Sequence, residues 1–517
     1  MLKLLLHSFI SMYALIKSFL GIPPGMISKK SFPIGFIIQG TLVSLAIIIL
    51  LLLYVIALLI QIVLWGIDLY LICKWGKSYG GRLRKHDVQF DVTDEKLPIV
   101  AMAVLNHSDD QEVAVERVKN ELMKFHGSSH KLSSTVRRCL GYPYYVKKHT
   151  KAEDCVEVIK VNNNKTLSKD DLMDYIQKNY SKDVINGDKL WYGRIFAQPV
   201  SWNKKSEKHK QMVIMWVFRH CLADGISLIA LVQKVLYRQN ALENPKVDIK
   251  VPKPSLSLDD VHMNRNPFTC EQDEDTFNTE KGERQIAINS EDEINYVPLV
   301  KKIKSKLGVG FTEVLTACLT ASLAEVLAKR GKTMDKYTMG LLFRPYDDDF
   351  VKIINGTYDY NNLSNNFTAF IIRVPVTMKQ GSTMIDRIKA MDLEAKKAKT
   401  SVDALFNHTL TKYGHYIPHP IMKSTTMFMM RMSAVASNVG AMRDGTIAGY
   451  EVESGLSYLP YCYDTAFRFA IVTKGDRFQL ALTTKEGVLK NRKECQIVLD
   501  GVFKYIDQLN KEIEKQS

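Results

Sequence analysis

Met212-Val-Ile-Met-Trp-Val-Phe218, followed by Arg219-His220-Cys221-Leu222-Ala223-Asp224-Gly225, is the stretch from which the rest of the chain can be read. Seven consecutive apolar residues bounded by polar ones suit a central strand buried on both faces. Directly beyond Gly225, Ile226, Ile229, Val232 and Leu236 recur at helical spacing, so the intervening residues form a strand-to-helix turn. A histidine leaving such a strand has a ring nitrogen free to take a proton from a hydroxyl. Its ordinary pKa near 6.5 keeps neutral imidazole abundant at physiological pH, which a general base requires. Four residues on, Asp224 can cap the helix or pair with an arginine and so fix the loop that aims His220. Gly225 permits the sharp entry into the helix. Cys221 is the rival nucleophile, but adjacent strand side chains point to opposite faces, which places it badly for activation by His220.

Working outward, the pattern is that of an α/β protein in two halves. Residues 86–242 form the first: Val113, Val118, Leu122 and Phe125 make a helical stripe that stops at Gly127, and Ser168 to Asp171 reads as a capping box. Residues 243–284 hold four prolines and an acidic patch (Glu271, Asp273, Glu274, Asp275), the texture of a crossover linker. The second half, 285–517, opens with a helix at Phe311–Lys329. Strand-like runs follow at 367–376, 467–473 and 478–483, and an amphipathic helix runs from about Glu494 to Leu509.

The N-terminus is different in kind. No charged residue occurs from Ser31 to Ile67, and the run Leu42–Trp65 exceeds the ~20 apolar residues that span a bilayer core. Residues 31–75 are therefore expected to be a transmembrane anchor, with Tyr54, Trp65 and Tyr70 at the interfaces and Lys74, Lys77, Arg82, Arg84 and Lys85 flanking it. Residues 1–30 carry Lys3, His7 and Lys17 and end in Pro23-Pro24-Gly25. They read as an amphipathic or signal-like leader, with a membrane-surface helix favoured.

The 517 residues, 46% hydrophobic and 24% charged, leave ample material for a large core. The net charge of +15 comes from dispersed basic residues with no nucleic-acid-binding signature, so an anionic membrane surface or a polyphosphorylated small molecule is the simpler partner. Eight cysteines lie far apart without a C-x-x-C pair, as free thiols in a reducing compartment do. His415 and His419 have a metal-pair spacing that Pro418 spoils, and no metal is expected.

These motifs together resemble the wax ester synthase/diacylglycerol acyltransferase family, whose members carry H-H-x-x-x-D-G. Leu190-Trp191 is similar to the family's Pro-Leu-Trp, and Phe343-Arg344-Pro345 to its V-R-P strand. Leu363-Ser-Asn-Asn-Phe367 with Val374-Pro375-Val376 resembles its Leu-Gly-Asn-x-Phe and Leu-Pro-Val. Ser437-Asn438-Val439-Gly440 resembles its Ser-Asn-Val-Pro-Gly. The matches run in the family's order from about Lys85 to the C-terminus.

The resemblance implies a two-lobed α/β body like chloramphenicol acetyltransferase, with a channel between the lobes and the histidine midway. It implies transfer of a fatty acyl group from acyl-CoA, a co-substrate and not a bound cofactor, to a lipid alcohol. His220 would be the base, with Asp224 and Gly225 shaping the turn. Asn438 or a nearby backbone N–H would meet the oxyanion, and Arg219, standing where the family has its first histidine, would touch the acceptor mouth. Thr312-Glu313 replaces the family's Asn-Asp, and the Ser-Asn-Val segment lacks its proline. The alternative is a catalytically silent lipid-binding or scaffold protein that keeps the fold. Acyl chain length, acceptor and oligomeric state are not legible. The body is expected on the cytosolic face of the endoplasmic reticulum, where acyl-CoA is available. Seven N-x-S/T sequons (Asn106, Asn164, Asn179, Asn355, Asn362, Asn366, Asn407) oppose that placement.

Overall fold

In the computed structural model of the chain, the strand Lys210–Phe218 lies between Ile99–His107 and Trp191–Phe196, antiparallel to both, and is buried from Gln211 to Phe218. The residues described are 2–22, 26–27, 33–84, 86–93, 98–147, 150–161, 165–180, 189–203, 209–238, 261–263, 284–289, 294–345, 347–418, 421–422, 432–442, 444–459, 465–485 and 487–516. The expected linker 243–284 lies outside them apart from 261–263 and Arg284, as do Pro23-Pro24-Gly25, Cys270, Cys462, His419 and the Asn164 sequon.

The first sheet has seven strands in the order 237–238, 446–447, 450–458, 99–107, 210–218, 191–196, 156–159. Two of these, Thr446–Ile447 and Tyr450–Tyr458, come from the second half of the chain. The division at residue 285 therefore describes the order of the sequence but not the sheets: Tyr450–Tyr458 pairs antiparallel with Ile99–His107, from Glu451 opposite Asn106 to Tyr458 opposite Val100. The second sheet has six strands in the order 284–288, 477–485, 467–474, 434–442, 336–343, 368–375. Its central pairs, 336–343 with 434–442 and 434–442 with 467–474, are parallel.

Local signals mostly hold. The helix Gln111–Phe125 buries Val118, Leu122 and Phe125. Ser168 Oγ accepts from Asp171 N–H while the Asp171 carboxylate accepts from Ser168 N–H, the reciprocal cap expected for Lys169–Tyr180. Phe311–Lys329 is long and apolar enough to cross a membrane, but 72% of its most apolar window is buried, which makes it a core helix. It packs with Tyr296–Leu307 and Arg492–Gln516, the last running well past Leu509.

At the N-terminus, helix α1 (Leu2–Phe19) and helix α2 (Ile34–Trp75) pack together with Tyr13 and Ala14 of α1 fully buried. Helix α2 is long and apolar enough to cross a membrane. Lys17, expected on a polar face, is buried with its ammonium 5.7 Å from the Tyr13 ring centre. Almost at once follows helix α3 (His86–Thr93), whose residues His86 to Asp91 are all buried between the lobes.

Candidate active site

The turn after the motif strand is pinned residue by residue. Arg219 N–H donates to the Leu190 carbonyl at 2.9 Å, Asn365 Nδ2 donates to the His220 carbonyl at 2.7 Å, and Tyr145 Oη donates to the Cys221 carbonyl at 2.9 Å. Asn365 spends its other side-chain hydrogen on Asp87 Oδ1 at 2.9 Å, and its backbone N–H reaches the same oxygen at 2.8 Å. Burial pushes the Asp87 carboxyl up, while Lys131 and Asn365 pull it down. His220 is thus tied through its own carbonyl to α3.

Asp224 caps the helix Gly225–Val235, accepting from Ser227 N–H at 2.9 Å. Arg344, at the end of the strand Lys336–Phe343, places Nη1 2.9 Å from both carboxylate oxygens and 2.7 Å from Ser227 Oγ. Asn366 N–H completes the set at 2.9 Å. Gly225 has no positive φ; its role is space, since a Cβ there would lie 2.8 Å from Val439 Cγ1. The freedom to turn, expected from the sequence, is not what the position uses.

The imidazole of His220 lies flat against Phe90 of α3, ring centres 3.6 Å apart and planes 8° from parallel, with Phe367 at 5.9 Å. Burial lowers its pKa to about 4, against the pull of its own backbone carbonyl, Asp224 and Asn365. The ring is neutral at physiological pH. Among the described residues Nδ1 is buried without a hydrogen-bond partner, so no hydrogen bond fixes which ring nitrogen carries the hydrogen. His220 lines a mostly apolar cavity of about 690 Å³, opening included, shared by both lobes. Gln89 and Phe90 come from α3, Phe367 and Ala369 from the second sheet's edge, and Asn407 and Thr411 from the helix Asp403–Tyr413.

Cys221 is buried and does not line this cavity, and burial pushes its thiol up to about 12, so it holds no thiolate near neutrality. Arg219 is also absent from the lining; its Nη2 lies 2.9 Å from Asp91 Oδ1, whose other oxygen takes Arg138 at 2.9 Å. Asn438 is half-buried on the strand Ala434–Met442, next to the Val439 that touches Gly225, and it too is not a lining residue. Among the described residues no group of three or more His, Cys, Asp or Glu side chains could hold a metal ion. Sequence reasoning missed Asn365, Asp87 and Phe90. Asn365 was visible within Leu363–Phe367 without a role, whereas α3 has too little periodicity to announce itself.

A capping aspartate held by an arginine from the neighbouring sheet, with a neutral histidine over an interlobe cavity, is set in a chloramphenicol acetyltransferase-like condensation fold. The wax ester synthase/diacylglycerol acyltransferase from Marinobacter aquaeolei VT8 superposes with a TM-score of 0.54 at 12% identity, covering 84% of this chain and 100% of that one. TRI3 trichothecene 15-O-acetyltransferase from Fusarium sporotrichioides gives 0.56 at 10% identity, covering 83% and 94%. The first condensation domain of the calcium-dependent antibiotic synthetase gives 0.50 at 9%, covering 82% and 93%. No curated protein sequence matches the chain. Residues 363–504 match the family model of the WS/DGAT C-terminal domain.

Proposed function

We propose that this chain is an O-acyltransferase that moves a fatty acyl group from acyl-CoA to a lipid alcohol. The observation that carries the reading is His220: a buried, neutral imidazole lining an apolar cavity between the lobes. Nε2 takes the hydroxyl proton as the alcohol oxygen attacks the thioester carbonyl and the new C–O bond forms. The tetrahedral oxyanion then collapses, the C–S bond breaks, and the imidazolium returns its proton to the departing thiolate. Asn438 or a neighbouring backbone N–H is the proposed oxyanion donor, and Arg219 acts at a distance by holding Asp91 of α3. The pairing of Arg219 with Asp91 gives that residue a structural task. The test is turnover of acyl-CoA with a panel of alcohols by purified protein. His220→Ala should lower it at least ~100-fold while the fold is retained; near-normal esterification by a folded variant removes the reading.

The body is proposed to face the cytosol from the endoplasmic reticulum. Two sequon asparagines support this: Asn106 and Asn366 are buried and hydrogen-bonded, where no glycan fits. The six described cysteines are unpaired, as in a reducing compartment. A glycosidase-sensitive gel shift that disappears on mutation of the sequons would place the body in the lumen instead.

A further inference from the structure

Helix α2 meets the rest of the chain along one narrow stripe. Its buried residues are Gly35, Leu42, Ala46, Leu64, Ile67 and Leu71. Leu42 and Leu64 are separated by close to six turns at about 3.6 residues per turn, so all six lie on one side of the helix. Leu42 and Ala46 pack in a cluster with Tyr13 and Ala14 of α1 and with Val402, at the start of the helix Asp403–Tyr413. Leu64, Ile67 and Leu71 pack with Tyr142, Tyr144 and Val146 of the first lobe. Polar contacts lock the second region: Arg82 Nε and Nη2 reach Asp68 at 2.8 and 3.0 Å, and Trp75 Nε1 donates to Tyr144 Oη at 3.2 Å.

Leu42 and Leu64, one in each contact region, lie roughly 33 Å apart along the helix axis, and a bilayer's hydrocarbon core is ~30 Å thick. A helix standing across the bilayer would hold Leu42 and Leu64 at opposite surfaces, and a body packed on both would have to occupy both sides. We infer that α2 lies in the plane of a membrane, embedded in one leaflet, with the catalytic body seated along it. The helix away from its contacts fits a lipid surface: Ile37, Ile48, Leu51, Leu58, Ile62 and Leu69, opposite the stripe, are exposed and apolar. Between the two contact regions Leu53 is exposed on the stripe side as well. An apolar strip of this length has no stable home in water. At its end Lys74, set 5.8 Å from the ring centres of both Tyr70 and Trp75, offers a cation at head-group depth.

This seat gives the acceptor a short route, a point that rests on the function proposed above. The helix Asp403–Tyr413 contributes Asn407 and Thr411 to the cavity and packs against α1, with Ser8 Oγ 3.4 Å from Tyr413 Oη. Helix α1 and the helix Asp403–Tyr413 therefore stand between α2 and the cavity beside His220. A lipid alcohol can enter there without leaving the bilayer.

Two measurements test the inference. In sealed microsomes carrying the full chain with an N-terminal tag, protease should remove both tag and body, because both lie on one face. Protection of the tag while the body is digested means a span and overturns it. In flotation with phosphatidylcholine–phosphatidylserine vesicles, Leu51→Glu/Leu58→Glu/Ile62→Glu should reduce binding at least tenfold. The variant should still esterify a short, soluble alcohol at the wild-type rate while losing turnover of a bilayer-embedded one. Unchanged vesicle binding by the triple variant, or a wild-type chain that stays out of the vesicle fraction as a soluble dimer, overturns the seat. Absence of acyl transfer to any alcohol by a wild-type chain that floats and shows the one-sided protease pattern would instead sink the proposed activity and leave the seat standing.

Discussion

Arg344 Nη1 lies 2.9 Å from each carboxylate oxygen of Asp224, with both side chains buried, so the motif turn of one sheet is clamped by a strand end of the other. Removing one partner leaves an uncompensated buried charge. Asp224→Ala and Arg344→Ala should each cost about 3–5 kcal/mol of stability, and the double variant should lose clearly less than the sum. Denaturant titration of the four proteins decides it; additive losses, or a fully stable Asp224→Ala, would show that the pair is not a clamp.

Because the folded pKa of His220 is depressed to about 4 from an ordinary 6.5, the unfolded chain binds a proton that the folded chain refuses in that interval. The contribution to stability is therefore complete above about pH 6.5 and is lost as pH falls towards 4. His220→Gln should flatten the slope of unfolding free energy against pH in this window. The acid limb of kcat/KM in the wild type should likewise fall below pH 6. An acid limb at 6.5 or higher would mean that the imidazole is far better solvated than its burial implies.

Cys221→Ala should keep most of the activity, since the thiol is buried, holds its proton and does not line the cavity. Intact-protein mass spectrometry during turnover should show no acyl adduct. A trapped acyl-cysteine at this position would make the reaction covalent.

Asn365→Ala should release the His220 carbonyl and strip Asp87 of one hydrogen bond, while the backbone N–H of residue 365 still reaches it. We expect about 1–3 kcal/mol of destabilisation and a kcat lowered on the order of 10–100-fold with KM little changed, because the base is misplaced and the binding wall is intact. A proportional rise in KM with unchanged kcat would assign Asn365 to the cavity wall instead.

Gly225→Ala should destabilise the protein through the contact at 2.8 Å with Val439 Cγ1. Pairing it with Val439→Ala should recover part of the loss. If the second substitution only adds to the damage, the tight approach is not the reason for glycine.

The motif strand and its helix were legible because burial on both faces writes a continuous apolar run, as in Met212–Phe218. Much of the second sheet announced itself in the same way. Tyr450–Tyr458 did not: Glu451, Glu453, Ser454 and Gly455 interrupt its apolar residues, although Glu453 is buried and paired with Arg477 at 2.9 Å. A buried ion pair erases the pattern that sequence reading depends on. The histidine and its aspartate could be named from spacing, but their supports could not, since Asp87, Phe90, Arg344 and Asn365 reach the turn from three distant segments. The length and purity of α2 mark a helix apolar enough to cross a membrane, whereas its orientation depends on which side the body covers.

The loan of the strand Tyr450–Tyr458 to the first sheet makes the two halves of the chain inseparable. Cutting the polypeptide between them would strip the strand Ile99–His107 of a neighbour and expose a ladder of backbone groups along a hydrophobic edge, an invitation to aggregate. The strand is held to the first sheet by those hydrogen bonds, so the chain passes between the lobes on either side of it. No nascent half completes the first sheet until the ribosome has made residue 458.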